Sequence, residues 1–476
     1  MRSLKSDDRT MSEDFTKYAS DMLERLDNGE RLGFYECDRF VDQIPAFTEK
    51  HSVEDTRKFL EYIGSPDLKM HIIHVAGTNG KGSVCNYLSE ILRQAGFKVG
   101  MFTSPHLVKV TERFCINGMP IEDSIFCEIF ADLIKKIRDY EAEKYFPTYF
   151  EFLFFMAMLL YEKYPVDYLV LETGLGGRLD ATNSVHAPVL DVITEIGLDH
   201  MQYLGNTISE IAGEKAGIIR KDTPVVVYNR RDMSTDVIEK RADELSARVY
   251  RVEPEFVTEI NTTPDDAGNI CIDFSYESQY DKYCGLRLQS IAKFQTENAA
   301  IAIMCTRALR DIGVNITDDD ISYGLRKAKW GGRMELILPG IYVDGAHNVD
   351  GMEAFLDCAG NVPCDKKRIL LFGAVADKQY HLMIRQILES RLFDRICVSV
   401  LETGRSVSES QLRAAFESEM RHFKDKPDIR FSYYTSVRDA LMDIITDRGA
   451  GDVVFAAGSL YLVGQVRESL GIMPGH

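Results

Sequence analysis

The sequence has little of what marks a disulfide-bonded, zinc-binding or membrane-spanning protein. Its ten cysteines are scattered and none forms a C-x-x-C pair, which excludes a disulfide framework or a zinc site of that type. The longest apolar run, residues 152–161, is about half of the roughly 20 residues that a membrane span requires. The first fifteen residues lack the apolar core of a signal peptide. We therefore expect a cytoplasmic protein with reduced cysteines and no membrane partner.

Positive charge is also scarce. The chain carries 56 lysines and arginines against 74 aspartates and glutamates, a formal net charge of −18. So acidic a protein is not expected to bind nucleic acid as its main partner. Its length of 476 residues exceeds what one ordinary core accommodates, and two or three domains are expected.

The clearest chemical signal lies in residues 71–96. An apolar run ending at Val75 predicts a buried strand, and apolar residues at helical spacing from Val84 predict a helix that Gly96 ends. Between them lies the loop Gly77, Thr78, Asn79, Gly80, Lys81, Gly82 and Ser83.

This arrangement is typical of phosphate binding. Glycine amides and the helix N-terminus attract an anion, Lys81 adds a full charge, and Ser83 offers a hydroxyl to Mg²⁺. The usual P-loop pattern has a glycine five places before the Gly-Lys pair, where this chain has Val75. The alternative is a tight connection that binds nothing.

The order of predicted elements indicates an α/β protein. Strands alternating with helices predict a mostly parallel sheet, whose ligands gather at the carboxyl ends of the strands. Short alternating segments from Val249 to Leu288 predict a small β excursion. The glycines and charges of residues 326–333 predict a domain boundary, so we divide the chain into residues 1–331 and 332–476. The second domain is predicted to be a Rossmann-like α/β unit without a phosphate loop.

Three polar residues of the first domain are candidates for chemistry. Glu172 ends a hydrophobic strand, where nucleotide-binding sheets place the acid that holds Mg²⁺. His200 follows Asp199 at the end of another strand, and a metal ligand or a structural histidine fits equally well. Lys215 lies among small residues on a short helix, with a snorkelling surface lysine as the alternative.

The second domain contributes an acid and an imidazole, Asp344 and His347, within one turn after a strand. Arg333 lies at the linker, from which a guanidinium can reach nucleotide phosphates across a cleft between domains. Domain closure would then assemble the site. A capping aspartate and an ordinary linker charge are the alternatives.

Taken together, these stretches resemble the folylpolyglutamate synthase and dihydrofolate synthase family, a branch of the Mur ligase superfamily, from about residue 40 onward. The motifs that carry the resemblance are GTNGKGS (77–83), TSPHL (103–107), TYFEF (148–152), LETGLGGRLDATN (171–183), GLDHMQYLG (197–205), EKAGI around Lys215, Gln295 with Asn298-Ala299-Ala300, Trp330 to Glu335, DGAHN (344–348) and GAVADKQ (373–379). Two departures lie near the expected hinge: Phe294 stands where many members have histidine, and Gly331 replaces the usual proline.

The resemblance implies a two-domain Mur-ligase-like architecture with an N-terminal P-loop-type ATPase domain. It implies ATP and two Mg²⁺ sites, with Lys215 carbamylated by CO₂. The nucleotide would be held by residues 77–83 with Asn298, Arg333, Asp344 and His347. The metal ligands would be Ser83, Glu172, His200 and carbamylated Lys215. The catalytic residues would be Lys81, Lys215 and His347.

The acceptor side of the site is also implied by the resemblance. Its candidates are Thr103, Ser104, Pro105, His106, Phe150, Glu151 and Asp180.

The expected reaction is the ATP-dependent addition of L-glutamate to a folate-type carboxylate through an acyl phosphate. Extension of tetrahydrofolate, addition to dihydropteroate, or both remain open, and we expect a monomer with only small-molecule partners. A nucleotide-hydrolysing switch is an alternative, although it leaves the second domain unexplained. A peptidoglycan-precursor ligase is another alternative. However, only about forty residues precede the region that carries the family motifs, and they leave little room for a uridine-nucleotide domain.

Overall fold

A computed structural model describes residues 13–45, 51–140, 145–265, 269–425 and 428–472, with side chains from residue 18 onward. Among these residues no helix has both the length and the apolar character needed to cross a membrane.

The first half of the chain is built around an eight-stranded sheet. Its helices are α1 (Glu13–Asp27), α2 (Phe34–Gln43), α3 (Val53–Tyr62), α4 (Lys81–Gln94), α5 (Asp123–Asp139), α6 (Tyr149–Lys163), α7 (Met201–Leu204), α8 (Ile208–Ala216) and α9 (Met233–Glu244). Its strands are β1 (His71–Ala76), β2 (Val99–Phe102), β3 (Phe114–Ile116), β4 (Met119–Pro120), β5 (Tyr168–Glu172), β6 (Leu190–Ile193), β7 (Val225–Tyr228) and β8 (Val249–Val252).

The order of strands in this sheet is β4-β3-β2-β5-β1-β6-β7-β8. Every neighbouring pair from β2 to β8 in this order is parallel, whereas the pairs β2–β3 and β3–β4 at one edge are antiparallel. Strand β1 is central, with β5 on one side and β6 on the other. The segments that follow these three strands therefore meet at one edge of the sheet.

Helices cover both faces of the sheet. On one face α6 is buried almost all round, because Phe152, Phe154 and Phe155 pack into a core shared with α2, α3 and α5. Burial of each such side chain contributes about 1.5–3 kcal/mol. On the other face, α4 packs with α10 (Phe294–Asp311) and α11 (Asp318–Lys327). A sheet buried on both faces explains why its strands read as continuous apolar runs.

The predicted β excursion is real but shorter than expected. Strands β9 (Val257–Pro264), β10 (Ile270–Glu277) and β11 (Lys282–Leu288) form a separate antiparallel sheet of order β11-β10-β9. Residues 249–252 instead form β8, the parallel edge strand of the large sheet, and including them was wrong. A half-exposed edge strand alternates polar and apolar residues as an antiparallel strand does, so periodicity does not separate the two.

The second half is a six-stranded α/β unit. Its strands are β12 (Glu335–Leu338), β13 (Ile341–Val343), β14 (Arg368–Phe372), β15 (Arg395–Ser399), β16 (Arg430–Tyr434) and β17 (Val453–Ala457). Its helices are α12 (Val349–Asn361), α13 (Tyr380–Ser390), α14 (Glu409–Met420), α15 (Val437–Asp447) and α16 (Leu460–Ser469). The order is β12-β13-β17-β14-β15-β16, and every pair except β12–β13 is parallel.

The two halves meet where strand ends of both sheets face each other. The boundary that we placed after residue 331 falls between α11 and β12, and it stays a prediction. Apolar contacts cross it, since Ile291, Ala292 and Phe294 pack with the core of the second half.

Candidate active site

The loop between β1 and α4 has a backbone that only glycine accepts at two positions. Gly77 has φ 154° and Gly80 has φ 83°. A Cβ atom at Gly77 would lie 1.8 Å from Thr194 Oγ1, and one at Gly80 would lie 2.2 Å from Asn298 Oδ1. Both glycines thus meet a steric and a conformational requirement. Helix α4 begins at Lys81, so its free amides face the loop.

Lys81 is folded back over this loop. Its Nζ donates hydrogen bonds to the carbonyl oxygens of Gly77 (3.1 Å) and Thr78 (3.0 Å). The same atom lies 4.0 Å from Glu172 Oε1. The ammonium is therefore held at the loop, beside the acid that ends β5.

Ser83 and Asn298 belong to one buried network. Gln295 Nε2 donates to Ser83 Oγ (3.2 Å), and Asn298 Nδ2 donates to Gln295 Oε1 (3.0 Å). Helix α10 supplies both amides, so a helix more than 200 residues along the chain supports the glycine loop. Both predicted residues thus lie at the loop.

Glu172 is buried beside the Thr103–His106 segment. Its Oε2 accepts a hydrogen bond from Ser104 N (2.9 Å). Burial raises the pKa of Glu172, while Lys81 and, more weakly, Arg333 act in the opposite direction. The carboxylate consequently lies in a desolvated position with cationic neighbours from both halves of the chain.

Lys215 is buried on α8 and reaches the same loop. Its Nζ donates to the carbonyl oxygen of Gly77 (2.6 Å). Burial, reinforced by Lys81, lowers the pKa of Lys215 to about 7. A snorkelling lysine at the surface would have neither this buried contact nor a lowered pKa, so that alternative is wrong.

Four residues form a contact across the cleft, which we call the domain clasp: Asp199, His347, Asn348 and Lys378. Lys378 Nζ donates to Asp199 Oδ1 (2.7 Å), and both side chains are about 90% buried. His347 Nε2 lies 3.6 Å from Asp199 Oδ2, and Asn348 Nδ2 donates to the same oxygen (3.4 Å). Burial opposes the charge on Asp199, but His347 and Lys378 outweigh it and hold the pKa of Asp199 well below its ordinary value.

The domain clasp also reaches His200 and the glycine loop. Lys378 Nζ lies 3.2 Å from His200 Nε2, and burial lowers the pKa of His200 to about 4. Asn348 Nδ2 donates to Asn79 Oδ1 (3.0 Å), and this hydrogen bond joins the DGAHN turn to the glycine loop. Asn348 also caps α12 by accepting from Gly351 N (2.8 Å), so its position is fixed by the helix.

Arg333 and Asp344 lie behind this turn. Asp344 is buried and accepts hydrogen bonds from Met334 N (2.8 Å) and Ala346 N (2.7 Å), so it shapes both the linker and the turn. Arg333 Nη1 donates to Gly332 O (3.0 Å), and burial raises the pKa of Asp344 against the effect of Arg333.

The acceptor-side candidates do not form one connected network, and each of those described next makes its own contacts. Phe150 packs over Gly174, where a Cβ would lie 2.5 Å from the ring. Glu151 closes the capping box of α6 by accepting from Thr148 N (2.8 Å) and lies 3.1 Å from His51 Nδ1. His106 Nδ1 accepts from Arg113 Nε (3.0 Å). The Ser104–Pro105 peptide bond is cis.

Sequence reasoning missed two cations at the site. Lys378 lies in the GAVADKQ stretch, which we had quoted only as part of the resemblance. Arg113 lies just after the TSPHL stretch, is buried, and lies 5.6 Å from the centroid of the Tyr149 ring. Their signal was a basic residue inside or next to a recognised motif.

The predicted metal ligands are suited to a hard cation only in part. Ser83 and Glu172 offer oxygen atoms, which Mg²⁺ prefers. No group of three or more His, Cys, Asp or Glu that could hold a metal occurs in the described parts of the chain. A metal here would need further oxygen ligands, such as those of phosphates.

Comparisons with known proteins agree with this geometry. The family called Mur ligase middle domain matches residues 75–306, and the family called Mur ligase, glutamate ligase domain, matches residues 332–460. The chain is 33% identical to the dihydrofolate synthase/folylpolyglutamate synthase of Bacillus subtilis over 429 residues, which cover 89% of this chain and 96% of the relative. It is 28% identical to the folylpolyglutamate synthase of Lacticaseibacillus casei, with 92% and 99% covered.

Two solved structures are similar over almost their full length. Escherichia coli FolC in complex with DHPP and ADP superposes with a TM-score of 0.78 at 27% identity, covering 92% of this chain and 98% of that one. Mycobacterium tuberculosis folylpolyglutamate synthase, complexed with ADP and AMPPCP, gives a TM-score of 0.80 at 26% identity, covering 93% and 99%.

Proposed function

The chain belongs to the folylpolyglutamate synthase and dihydrofolate synthase family of Mur ligases, and we propose that it uses ATP to join L-glutamate to the carboxylate of a folate-type acceptor. It is an ATP-dependent ligase of two α/β domains. We propose three further points: the acceptor that the enzyme uses, the residues that act in the reaction and the metals that it binds.

The observation that carries the proposal is the hydrogen bond between Asn79 and Asn348. It brings the DGAHN turn of the second half against the glycine loop of the first, so a nucleotide bound at that loop would be shared by both halves. A simple nucleotide hydrolase has no need of this second surface. A ligase needs it, because the acyl group and the amine must meet in a place from which water is excluded.

On the nucleotide side, the amides and Lys81 of the loop would bind the β- and γ-phosphates. Asn298 supports the loop from α10 through Gln295. Arg333, Asp344 and His347 would complete the nucleotide site from the second half when the cleft is closed.

The reaction follows from the weakness of a carboxylate as an acyl donor. An acceptor carboxylate oxygen attacks the γ-phosphorus of ATP, the bond to the bridging oxygen of ADP breaks, and an acyl phosphate forms. Lys81 and the loop amides stabilise the charge on the transferring phosphoryl group. The neutral α-amine of glutamate then attacks the acyl carbon, phosphate leaves with the bonding electrons, and the amine loses a proton. Holding the two reactants in place can contribute up to about 7–11 kcal/mol.

Ser83 and Glu172 are suited to Mg²⁺, which would neutralise charge on the phosphates when bound. His200 and Lys215 are our candidates for a second metal site. A lysine ammonium is a donor and cannot be a ligand, but the low pKa of Lys215 leaves much of the amine neutral at physiological pH. A neutral amine attacks CO₂, loses a proton and becomes a carbamate, whose single negative charge is shared by two oxygens. A carbamate at Lys215 would supply the oxygen ligands that the described residues lack.

On the acceptor side we propose residues 103–106, Phe150 and Asp180 as contacts of the acceptor. Glu151 would act there by holding the start of α6, since its carboxylate serves the capping box. The bifunctional relative in Bacillus subtilis favours activity on dihydropteroate as well as on folates. A cytoplasmic location and a monomeric state stay predictions.

The test is phosphate release by the purified protein with ATP, Mg²⁺ and glutamate. It compares dihydropteroate, tetrahydrofolate and no acceptor, with the glutamylated product measured in parallel. We expect release that depends on an acceptor and matches product one to one. Phosphate release at full rate without an acceptor would instead support the hydrolase alternative. If neither dihydropteroate nor tetrahydrofolate causes phosphate release, the protein would be another Mur-type ligase.

A further inference from the structure

His74 is a fully buried histidine in the middle of β1, and the proposed reaction does not use it. It precedes the glycine loop by three residues, and its side chain points to the opposite face of the sheet from Val75. A buried imidazole in a core strand is costly unless its polar atoms are paired. Its partners therefore indicate why the position is polar.

A directed chain of hydrogen bonds starts at this ring. His74 Nε2 lies 2.8 Å from Thr182 Oγ1, and the hydroxyl of Thr182 donates to Asp180 Oδ1 (2.7 Å). Because a hydroxyl has a single hydrogen, Thr182 must accept from His74 while it donates to Asp180. His74 is thereby fixed as the tautomer with its proton on Nε2.

The surroundings of the ring agree with a neutral imidazole. Burial, reinforced by Arg220, lowers the pKa of His74 to about 3. Asp191 lies opposite His74 on the adjacent strand and shares its face of the sheet. Burial raises the pKa of Asp191 to about 8, so this carboxyl retains a proton. His74 Nδ1 and Asp191 Oδ1 have no partner within the described residues, and a buried water between them would link a protonated Asp191 to Nδ1.

The far end of the chain is the acceptor-side candidate Asp180. Its Oδ1 also accepts from Thr182 N (3.0 Å), and its Oδ2 accepts from Leu175 N (2.7 Å). The carboxylate therefore ties together the loop of residues 174–180. This loop packs under Phe150 at Gly174 and against α8 at Gly177, where a Cβ would lie 3.0 Å from Lys215 Cα. A shift of Asp180 would move the loop between the acceptor side and Lys215.

We propose that His74 is a positioning residue for acceptor binding, which acts through Thr182 to hold Asp180 and the loop of residues 174–180 against the acceptor. This inference rests on the proposed function, because Asp180 is an acceptor-side residue only if the acceptor is a folate-type molecule. It predicts that the donor at Nε2 matters for the acceptor and hardly at all for the nucleotide.

The test replaces His74 by glutamine and by asparagine. Glutamine places its amide nitrogen near the position of Nε2 and retains the donor to Thr182, whereas asparagine places its amide near Nδ1 and does not reach. Affinity for dihydropteroate and for tetrahydrofolate would be measured by fluorescence titration of the full-length protein, and affinity for ADP in the same way. We expect His74→Asn to weaken acceptor binding and raise the acceptor KM about tenfold, with kcat and ADP affinity within about threefold, and His74→Gln to stay within about threefold throughout.

Thr182→Val and Thr182→Ser form a second matched pair, because valine has the shape of threonine without the hydroxyl and serine retains the hydroxyl. The valine variant should resemble His74→Asn, and the serine variant should resemble the unchanged protein. Equal acceptor affinity in all four variants would overturn the inference, as would parallel losses of acceptor and ADP affinity, which indicate a general defect in folding. If the unchanged protein binds ADP but neither acceptor, the proposed function fails first and the inference falls with it.

Discussion

The glycine loop and the domain clasp hold the two sides of the same site, but they are built in different ways. The loop is seven consecutive residues, and its shape is set by the local backbone at Gly77 and Gly80. The domain clasp joins Asp199 to Lys378, which are 179 residues apart. A local motif of this kind is preformed, whereas a contact between domains is free to open and to reform.

The electrostatics of the two regions differ accordingly. At the loop, the ammonium groups of Lys81 and Lys215 both donate to the carbonyl oxygen of Gly77, so two positive charges share one neutral acceptor. At the domain clasp, burial lowers the pKa of Lys378, and Asp199 offsets part of this effect. The loop is thus prepared for an anion that is still to bind, while the domain clasp is already paired. We infer that the loop sets nucleotide affinity and the domain clasp sets how often the cleft is closed.

The largest effect is expected from Lys81→Ala, which removes the charge at the loop itself. Without the ammonium, charge on the transferring phosphoryl group is no longer stabilised, and kcat should fall about 10³-fold. Single-turnover phosphate transfer checks this. Lys81→Arg is the control, because it retains the charge with a different shape and should recover part of the rate. A Lys81→Ala enzyme within tenfold of the unchanged rate would contradict the loop's proposed role.

Lys215→Ala should have the next largest effect, a loss of about 10²-fold, because it removes the proposed carbamate. Small carboxylates such as acetate in the buffer should restore part of the activity by entering the space that the side chain leaves. Lys215→Arg retains a positive charge but cannot form a carbamate, and it should stay inactive and unrescued. Full activity of either variant would rule out the carbamate.

The pH profile tests the same lysine without a mutation. With its pKa lowered to about 7, Lys215 is mostly neutral above pH 7 and can react with CO₂, and it is mostly protonated below pH 7 and cannot. Activity should therefore rise as pH increases through about 7. The acetate-rescued Lys215→Ala enzyme should lack this step, which separates Lys215 from other titrating groups.

The sequence predicted the loop better than the domain clasp for a physical reason. Strand, glycines and helix are adjacent in the chain, so β1 and α4 were expected close to where they lie. Whether His200 and Lys378 touch depends on which strand ends face each other, and periodicity carries no information about that. Lys378 was therefore missed although its motif was recognised, and His74 was missed because it read as one more residue of a buried strand.

Lys378→Met tests the domain clasp and should reduce kcat about tenfold. Methionine retains the length of the side chain, but it leaves Asp199 without its closest cation. A buried charge that has lost its strongest partner favours the open cleft, where water can solvate it. Nucleotide affinity should change less than threefold, because Lys81 and the loop are untouched. Small-angle X-ray scattering with ADP bound should show a larger fraction of open protein. Lys378→Arg is the control and should close normally, and an unchanged closed fraction in Lys378→Met would contradict this role.

The smallest effect is expected from Phe294→His, which introduces the residue that the family resemblance leads us to expect at this position. Phe294 is half-buried and packs with the core of the second half, so it belongs to an apolar contact between the halves rather than to the paired charges of the domain clasp. Loss of apolar contact area at about 25 cal/mol per Å² should lower the free energy of unfolding by about 1 kcal/mol, while activity stays within about twofold. Thermal unfolding and kcat measured side by side check this, and Phe294→Leu should lose less stability because leucine remains apolar. A tenfold change in kcat with unchanged stability would mean that this ring acts on the reaction, and that the contacts which close the cleft extend well beyond Asp199 and Lys378.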